Sequence, residues 1–306
     1  MEKILVSIVG PTAIGKTKLA IAAARFFDTE IVSADSRQFY REMTIGTAVP
    51  SLTELNAAPH HFIQHKSISE AYSVGDYEQD ALSLLQQLFE QQAIVILVGG
   101  SGLYTDAVTK GLDQFPEIDP QIRIDLNLQF AEKGLSALQL KLKALDPEHY
   151  TKIDQDNPHR VIRALEVCLA TGKPYSSFLG KDKAPRFFKT ITLGISTDRE
   201  FLYERIEKRV DQMMEQGLLE EARSLYPKRD LNALQTVGYR ELFRYIDGEY
   251  DLDFAVSEIK KNTRRFAKRQ MTWYRKNKEI LWVDHDMPLV DSIALLNKQI
   301  IHTSNG

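Results

Sequence analysis

Between Gly10 and Thr17 the chain reads GPTAIGKT, directly after the apolar run ILVSIVG and directly before the helix-forming stretch TKLAIAAARFF. A G-x-x-x-x-G-K-[ST] pattern between a strand and a helix is a loop that grips phosphate. Gly10, Pro11, Thr12, Ala13, Ile14 and Gly15 supply backbone that curls so that several N–H groups point inward, and the dipole of the following helix adds partial positive charge. Lys16 contributes a full charge, and the Thr17 hydroxyl is placed to ligate Mg²⁺, the expected cofactor. The motif leaves the owner of the phosphate open, ATP included.

Loops of this class that hydrolyse ATP hold their metal partly through an Asp ending another strand. The candidate strand AIVIL here runs into VGGSGLY, which has no carboxylate, whereas EIVSAD ends in Asp35, within DSRQ. That carboxylate is placed to touch a second substrate; capping the next turn is its other reading. Ser101, within GGSGLY (99–104), is a small hydroxyl donor on a second Gly-rich strand end, whose glycines let backbone approach a ligand. The adjacent histidines of PHHF (59–62) have no Cys or carboxylate at ligand spacing and make a poor zinc site. Cys168, on an apolar helical face, reads as core filling.

Net charge is −3, which speaks against a polyanionic partner. Yet nine Lys or Arg residues fall between Lys260 and Lys278 with no Asp or Glu among them. On a helix, Lys261, Arg265, Lys268 and Arg275 share one face, and Ala267, Met271 and Tyr274 form a stripe that packs inward. A solvated face is the plain reading of such a stripe. Positives interleaved with aromatics point further, to a nucleic acid whose binding weakens with salt.

These residues need a scaffold. The apolar runs 4–10, 30–35 and 93–100 read as buried parallel strands, each followed by helical sequence, so the expected architecture is a doubly wound α/β sheet with its ligand site at the strands' carboxyl ends. From about Gly111 to Pro185 the sequence is charged and helix-forming, with no convincing strand. The domain expectation is a core of residues 1–112 and 186–306 around a helical insertion at 113–185. KTITLGIS (189–196) returns as a strand, helices begin near Asp198 and Asp251, and EILWVDHD (279–286) is a last short strand before a terminal helix. No apolar run approaches the roughly 20 residues that span a bilayer, and a single cysteine excludes disulfides within the chain. A cytoplasmic protein with no membrane association is the expectation.

With these pieces in order, the chain resembles the tRNA dimethylallyltransferases, also called tRNA isopentenyltransferases. GPTAIGKT, SADSRQFYREMTIGTAVP, APHHF, LVGGSGLY, NPHRVIRALEV with TGKP, RIEKRVDQMMEQGLLEE, QTVGYRE and TRRFAKRQMTWYRK carry the resemblance, which runs through nearly the whole chain. It implies a P-loop NTPase-like parallel sheet flanked by helices, with a helical insertion domain. The implied activity is transfer of a dimethylallyl group from dimethylallyl diphosphate to the exocyclic amine of the adenosine 3′ of the anticodon, in tRNAs reading codons that begin with uridine.

The resemblance gives the loop the diphosphate of a prenyl donor. It adds Arg209 as a further diphosphate clamp, with a surface charge on an amphipathic helix as the alternative. Asp35 orients the amine and takes its proton late; a free Asp, with a pKa of about 3.9, is too weak to take it from a neutral amine. Ser101 stands where the family usually has Thr. The tRNA anticodon stem-loop is expected to meet Asp35, Ser36, Arg37, Gln38 and Ser101. Further contacts are expected from His159, Arg160, Val161, Ile162 and Arg163, from Gln235, Gly238, Tyr239 and Arg240, and from Thr263, Arg264, Arg265, Lys268, Arg269 and Gln270. The insertion contributes Arg123 near the target, and a monomer suffices for such an interface. The rivals are prenyl transfer to free adenine nucleotides, a small-molecule kinase, and a non-catalytic RNA-binding protein.

Overall fold

The computed structural model of the chain describes residues 2–181 and 183–305 and divides into two units. The first comprises residues Met1–Lys110 and Arg186–Gly306, and the second Gly111–Pro185.

In the first unit, β1 (Ile4–Val9) leads through the phosphate loop into α1 (Lys16–Phe27), followed by β2 (Ile31–Ser33), α2 (Leu52–Ala57), β3 (His60–His61), α3 (Val74–Gln91), β4 (Ile94–Gly99) and α4 (Gly102–Lys110). The second unit is helical: α5 (Pro120–Leu145), α6 (Pro147–Lys152) and α7 (Pro158–Thr171). The chain then returns through β5 (Lys189–Ser196), α8 (Arg199–Glu215), α9 (Leu218–Leu225), α10 (Tyr239–Ile246), α11 (Leu252–Tyr274), β6 (Leu281–Asp284) and α12 (Leu289–Asn305). All the strands pair in parallel, in the order β3-β2-β4-β1-β5-β6. The fold is a P-loop NTPase-like α/β sheet.

Both faces of the sheet are covered, which is why its strands read as continuous apolar runs. On β1, Ile4, Val6 and Ile8 face a core shared with Leu19, Ala20 and Ala23 of α1 and Ile206 of α8, while Leu5 faces the opposite core with Tyr77, Leu85 and Tyr239. Asp198 and Asp251 are the N-caps of α8 and α11, their carboxylates accepting from Phe201 N–H at 2.8 Å and Phe254 N–H at 2.7 Å. The helical stretch RIEKRVDQMMEQGLLEE breaks at Gly217, whose φ of 100° starts α9, and α10 adds a further helix that sequence pattern did not separate. His60 and His61 form the short edge strand β3, the His61 ring bonded to Glu30 at 2.6 Å, which is a packing role.

The second unit has its own core of Leu126, Leu138, Leu142, Val161, Leu165 and Cys168. Its long α5 is broken at Gly134 (φ 72°, ψ 178°). Burial pushes the Cys168 thiol above its ordinary pKa, as suits a packing residue. Among the described residues no helix is long and apolar enough to cross a membrane.

Candidate active site

The loop after β1 takes its shape from local geometry. Gly15 sits at φ 105°, a backbone region L side chains rarely adopt, and serves as the N-cap of α1 with its N-terminus open. Lys16 folds back so that Nζ donates to the Pro11 carbonyl at 2.7 Å. Its burial, opposed by Asp35 and reinforced by Arg209, lowers its pKa to about 8. From the far side, Gln270 of α11 accepts from Thr12 N–H at 2.9 Å and donates to the Gly100 carbonyl at 2.9 Å, tying the loop to the end of β4.

This loop forms one wall of a cleft of about 810 Å³. Thr12 through Lys18 line it together with Ser33 at the end of β2, Asp35 beyond it, Val98 and Gly99 of β4, Thr44, Ile45 and residues 47–51, and Arg205, Lys208, Arg209, Gln212 and Met213 of α8. Arg205 and Arg209 project from successive turns of α8. Arg205 Nε donates to the Ala13 carbonyl at 2.7 Å, gripping the phosphate loop. Arg209 has no hydrogen-bond partner among the described residues, and burial depresses its pKa despite the attraction of Asp35. Desolvated guanidinium and ammonium groups with spare N–H donors are what a polyphosphate requires.

Asp35 lies two residues past β2. Its Oδ1 accepts from Arg37 N–H at 3.1 Å, so the capping role is real, and Oδ2 has no hydrogen-bond partner among the described residues, on a side chain that lines the cleft. Ser101 follows β4, its Oγ 3.4 Å from Ser36 N and 3.2 Å from Ser36 Oγ, so the DSRQ and GGSGLY segments meet through a hydroxyl pair. The glycines around Ser101 serve protein packing rather than ligand approach. A Cβ on Gly100 would fall 2.5 Å from Gln270, and one on Gly102 would fall 2.3 Å from the Trp273 ring. Thr17, Ser33 and Asp35 offer hard oxygen donors along the same cleft, a set that suits Mg²⁺.

The IPP transferase family model matches residues 38–277. The chain belongs to the IPP transferase family. A tRNA dimethylallyltransferase of Christiangramia forsetii is 60% identical over 286 residues, 94% of this chain and 95% of the relative. Another, from Flavobacterium johnsoniae, is 58% identical over 92% of this chain and 94% of the relative. Among solved structures, the full-length tRNA isopentenylpyrophosphate transferase of Bacillus halodurans aligns with TM-score 0.72 and 38% identity, covering 99% of this chain and 96% of its own. A eukaryotic dimethylallyltransferase acting on tRNA aligns with TM-score 0.84 and 26% identity, covering 98% and 80%.

On this IPP transferase chain, the residues the resemblance assigned to tRNA fall into two groups. Arg240, Arg265, Lys268 and Arg269 are exposed in the first unit, with no carboxylate partner among the described residues, and Gln235 is exposed but donates its amide to the Arg229 carbonyl at 2.7 Å. In the second unit His159 and Arg160 are exposed at the start of α7, whereas Arg163 is half-buried, stacks over Phe115 at 5.1 Å and pairs with Glu166 at 3.5 Å.

The others are committed elsewhere. Val161 and Ile162 are core side chains of the second unit, because α7 turns that face inward. Tyr239 is fully buried, its hydroxyl on Glu221 and its ring against Gly46, and Gln270 is the buried clamp already described. Gly238 is buried and donates its N–H to Glu241. Gln38 spends its amide nitrogen on the Thr47 and Ala48 carbonyls at 3.2 and 2.9 Å, and Arg37 donates to the Asn232 and Ala233 carbonyls at 3.3 and 3.0 Å. Arg123 pairs with buried Glu166 at 2.8 Å. Thr263 returns its hydroxyl to the Ile259 carbonyl, and Arg264 pairs with Glu207 at 2.5 Å.

The basic segment is therefore not free of acidic partners. Lys260 pairs with Asp211 at 2.6 Å and Lys261 with Glu258 at 2.7 Å, so with Arg264 three of its nine positives are neutralised by carboxylates outside 260–278. Sequence reasoning missed Arg205 and Lys208. The spacing of four residues from Arg209 was the available signal for Arg205.

Proposed function

We propose that this enzyme takes the dimethylallyl group from dimethylallyl diphosphate and attaches it to N6 of the adenosine immediately 3′ of the anticodon, in tRNAs reading codons that begin with U. The observation that carries the reading is the meeting of Lys16, Arg209 and the free oxygen of Asp35 in one cleft. The first two have donors to spare for a diphosphate, and the carboxylate oxygen is an acceptor for an amine.

In the reaction the bond between the allylic carbon and the diphosphate oxygen breaks, leaving its electron pair on oxygen, and the adenosine N6 lone pair forms the new C–N bond. The phosphate-loop N–H groups, Lys16 and Arg209 face the oxygens on which negative charge grows, and one such preorganised donor commonly contributes about 100- to 1000-fold in rate. The Thr17 hydroxyl would help hold Mg²⁺, which would supply further neutralisation of that charge. Nitrogen becomes cationic on attack, which makes its proton acidic, and then gives one proton to Asp35 Oδ2. Ser36 and Ser101 hold the entry to Asp35 in shape. Closure around the donor excludes the water that would otherwise capture the allylic cation. The target base leaves its stack to reach this site.

The remaining cations on α11 and at the start of α7 suit the phosphates of the stem-loop. The compartment this implies is the cytoplasm, where tRNA is matured.

The reading is tested with labelled dimethylallyl diphosphate and Mg²⁺ offered to an anticodon stem-loop with adenosine at the target, to the same loop with guanosine there, and to AMP. Label is expected in the first acceptor alone, with transfer abolished by EDTA. Label in AMP would make this a free-nucleotide prenyltransferase. Turnover of ATP with no prenyl transfer would make it a kinase.

A further inference from the structure

Glu221 lies in the first turns of α9 and looks, in sequence, like one more solvated helix carboxylate. Its surroundings differ from that expectation. Oε2 accepts from Thr44 N–H at 3.0 Å and Ile45 N–H at 2.8 Å, while Oε1 accepts from Gly46 N–H at 2.9 Å and from the Tyr239 hydroxyl at 2.6 Å. Among the described residues no lysine or arginine pairs with it, and its charge is met by three backbone dipoles and a phenol. Charge-assisted hydrogen bonds of this kind are stronger than neutral ones.

The backbone it holds belongs to a segment of the cleft wall in which Ile45, Ala48 and Val49 line the cleft together with Met213 of α8. Gly46 presses against the Tyr239 ring so closely that a Cβ there would lie 2.6 Å from it. Tyr239 is wholly buried, and burial beside the Glu221 carboxylate raises its pKa well above the ordinary phenol value, so it remains a donor. Gln38 holds the same wall from the other end, at the Thr47 and Ala48 carbonyls.

We propose that Glu221 and Tyr239 form a positioning clamp that sets the apolar wall of the cleft and thereby selects the length of the allylic chain the enzyme accepts. The inference rests on the reading that this cleft holds an allylic diphosphate. With the diphosphate on Lys16 and Arg209, the hydrocarbon needs an apolar surface, and Ile45, Ala48, Val49 and Met213 supply it. A wall held by three hydrogen bonds to Glu221 and two to Gln38 is rigid enough to count carbons. Loosened, it gives way to a longer chain and grips the short one less well.

The experiment compares labelled C5 dimethylallyl diphosphate with C10 geranyl diphosphate in transfer to the anticodon stem-loop, for wild type, Glu221→Gln and Tyr239→Phe. Glu221→Gln turns an amide donor toward backbone donors and should raise the KM for the C5 donor by about tenfold and narrow the C5-over-C10 preference by about tenfold. The KM for the stem-loop should stay within about twofold. Tyr239→Phe keeps the ring on Gly46 and removes one hydroxyl, so it should move the same two quantities in the same direction by about threefold. Thermal unfolding of each variant separates a shifted wall from a damaged fold. An unchanged C5-over-C10 ratio in both variants, or equal rises in KM for donor and stem-loop, would overturn the clamp. A wild type that moves no C5 group would instead overturn the donor reading, and the clamp's role with it.

Discussion

The phosphate cleft and the exposed face of α11 are both rich in cations, and they use them differently. In the cleft, Lys16 donates only to a backbone carbonyl, Arg209 has no hydrogen-bond partner among the described residues, and both are desolvated. On α11 the cations are solvated or paired: Lys260, Lys261 and Arg264 are spent on Asp211, Glu258 and Glu207, while Arg265, Lys268 and Arg269 are exposed with no carboxylate partner among the described residues. A cation is worth what its surroundings leave unspent. Low dielectric makes each cleft charge strong and specific, while the helix works through number and is screened by salt.

The sharpest way to break this contrast is Lys16→Ala. It should lower kcat/KM for the donor by about a thousandfold with stem-loop affinity unchanged, measured by initial rates and by filter binding. Asp35→Asn should come next, with turnover falling by about a hundredfold and the stem-loop Kd within about twofold; matching losses of turnover and affinity would make Asp35 a binding residue. Reversal of two unspent cations, Arg265→Glu with Lys268→Glu, should weaken stem-loop binding by at least about tenfold and flatten the plot of log K against log salt by about two phosphate contacts' worth. An unchanged Kd would remove this helix face from the interface.

A fourth prediction concerns pH. Lys16 binds an anion only when protonated, and its pKa of about 8 in the free enzyme means that the protonated fraction falls as pH rises through that value. Donor KM should therefore climb from pH 7 to pH 9 by about tenfold, while Lys16→Arg, charged throughout, gives a flat profile at a lower rate. The smallest effect is expected at a cation already spent. Arg264→Ala should leave stem-loop affinity within about twofold, because its guanidinium is engaged by Glu207.

The strands and the phosphate loop were readable because they are local. A run such as ILVSIVG followed by GPTAIGKT dictates its own backbone, and Asp35 and Ser101 could be placed at strand ends by counting from those runs. Asp198 and Asp251 announced their helices because an N-cap acts on the residue three positions ahead.

Partnerships between distant segments were not readable. Whether Arg264 is free depends on Glu207, 57 residues away, and whether Glu221 is solvated depends on Gly46, 175 residues away. Tyr239 and Gln270 carry polar groups that in sequence look available to RNA, yet each is buried and bonded within the protein. The sequence by itself determined the α/β scaffold, the phosphate grip and the acidic residue beside it, since these follow from short-range sterics and hydrophobic period. Only the tertiary structure decided which charges stay unspent, because desolvation and pairing are set by neighbours that the chain supplies from far away.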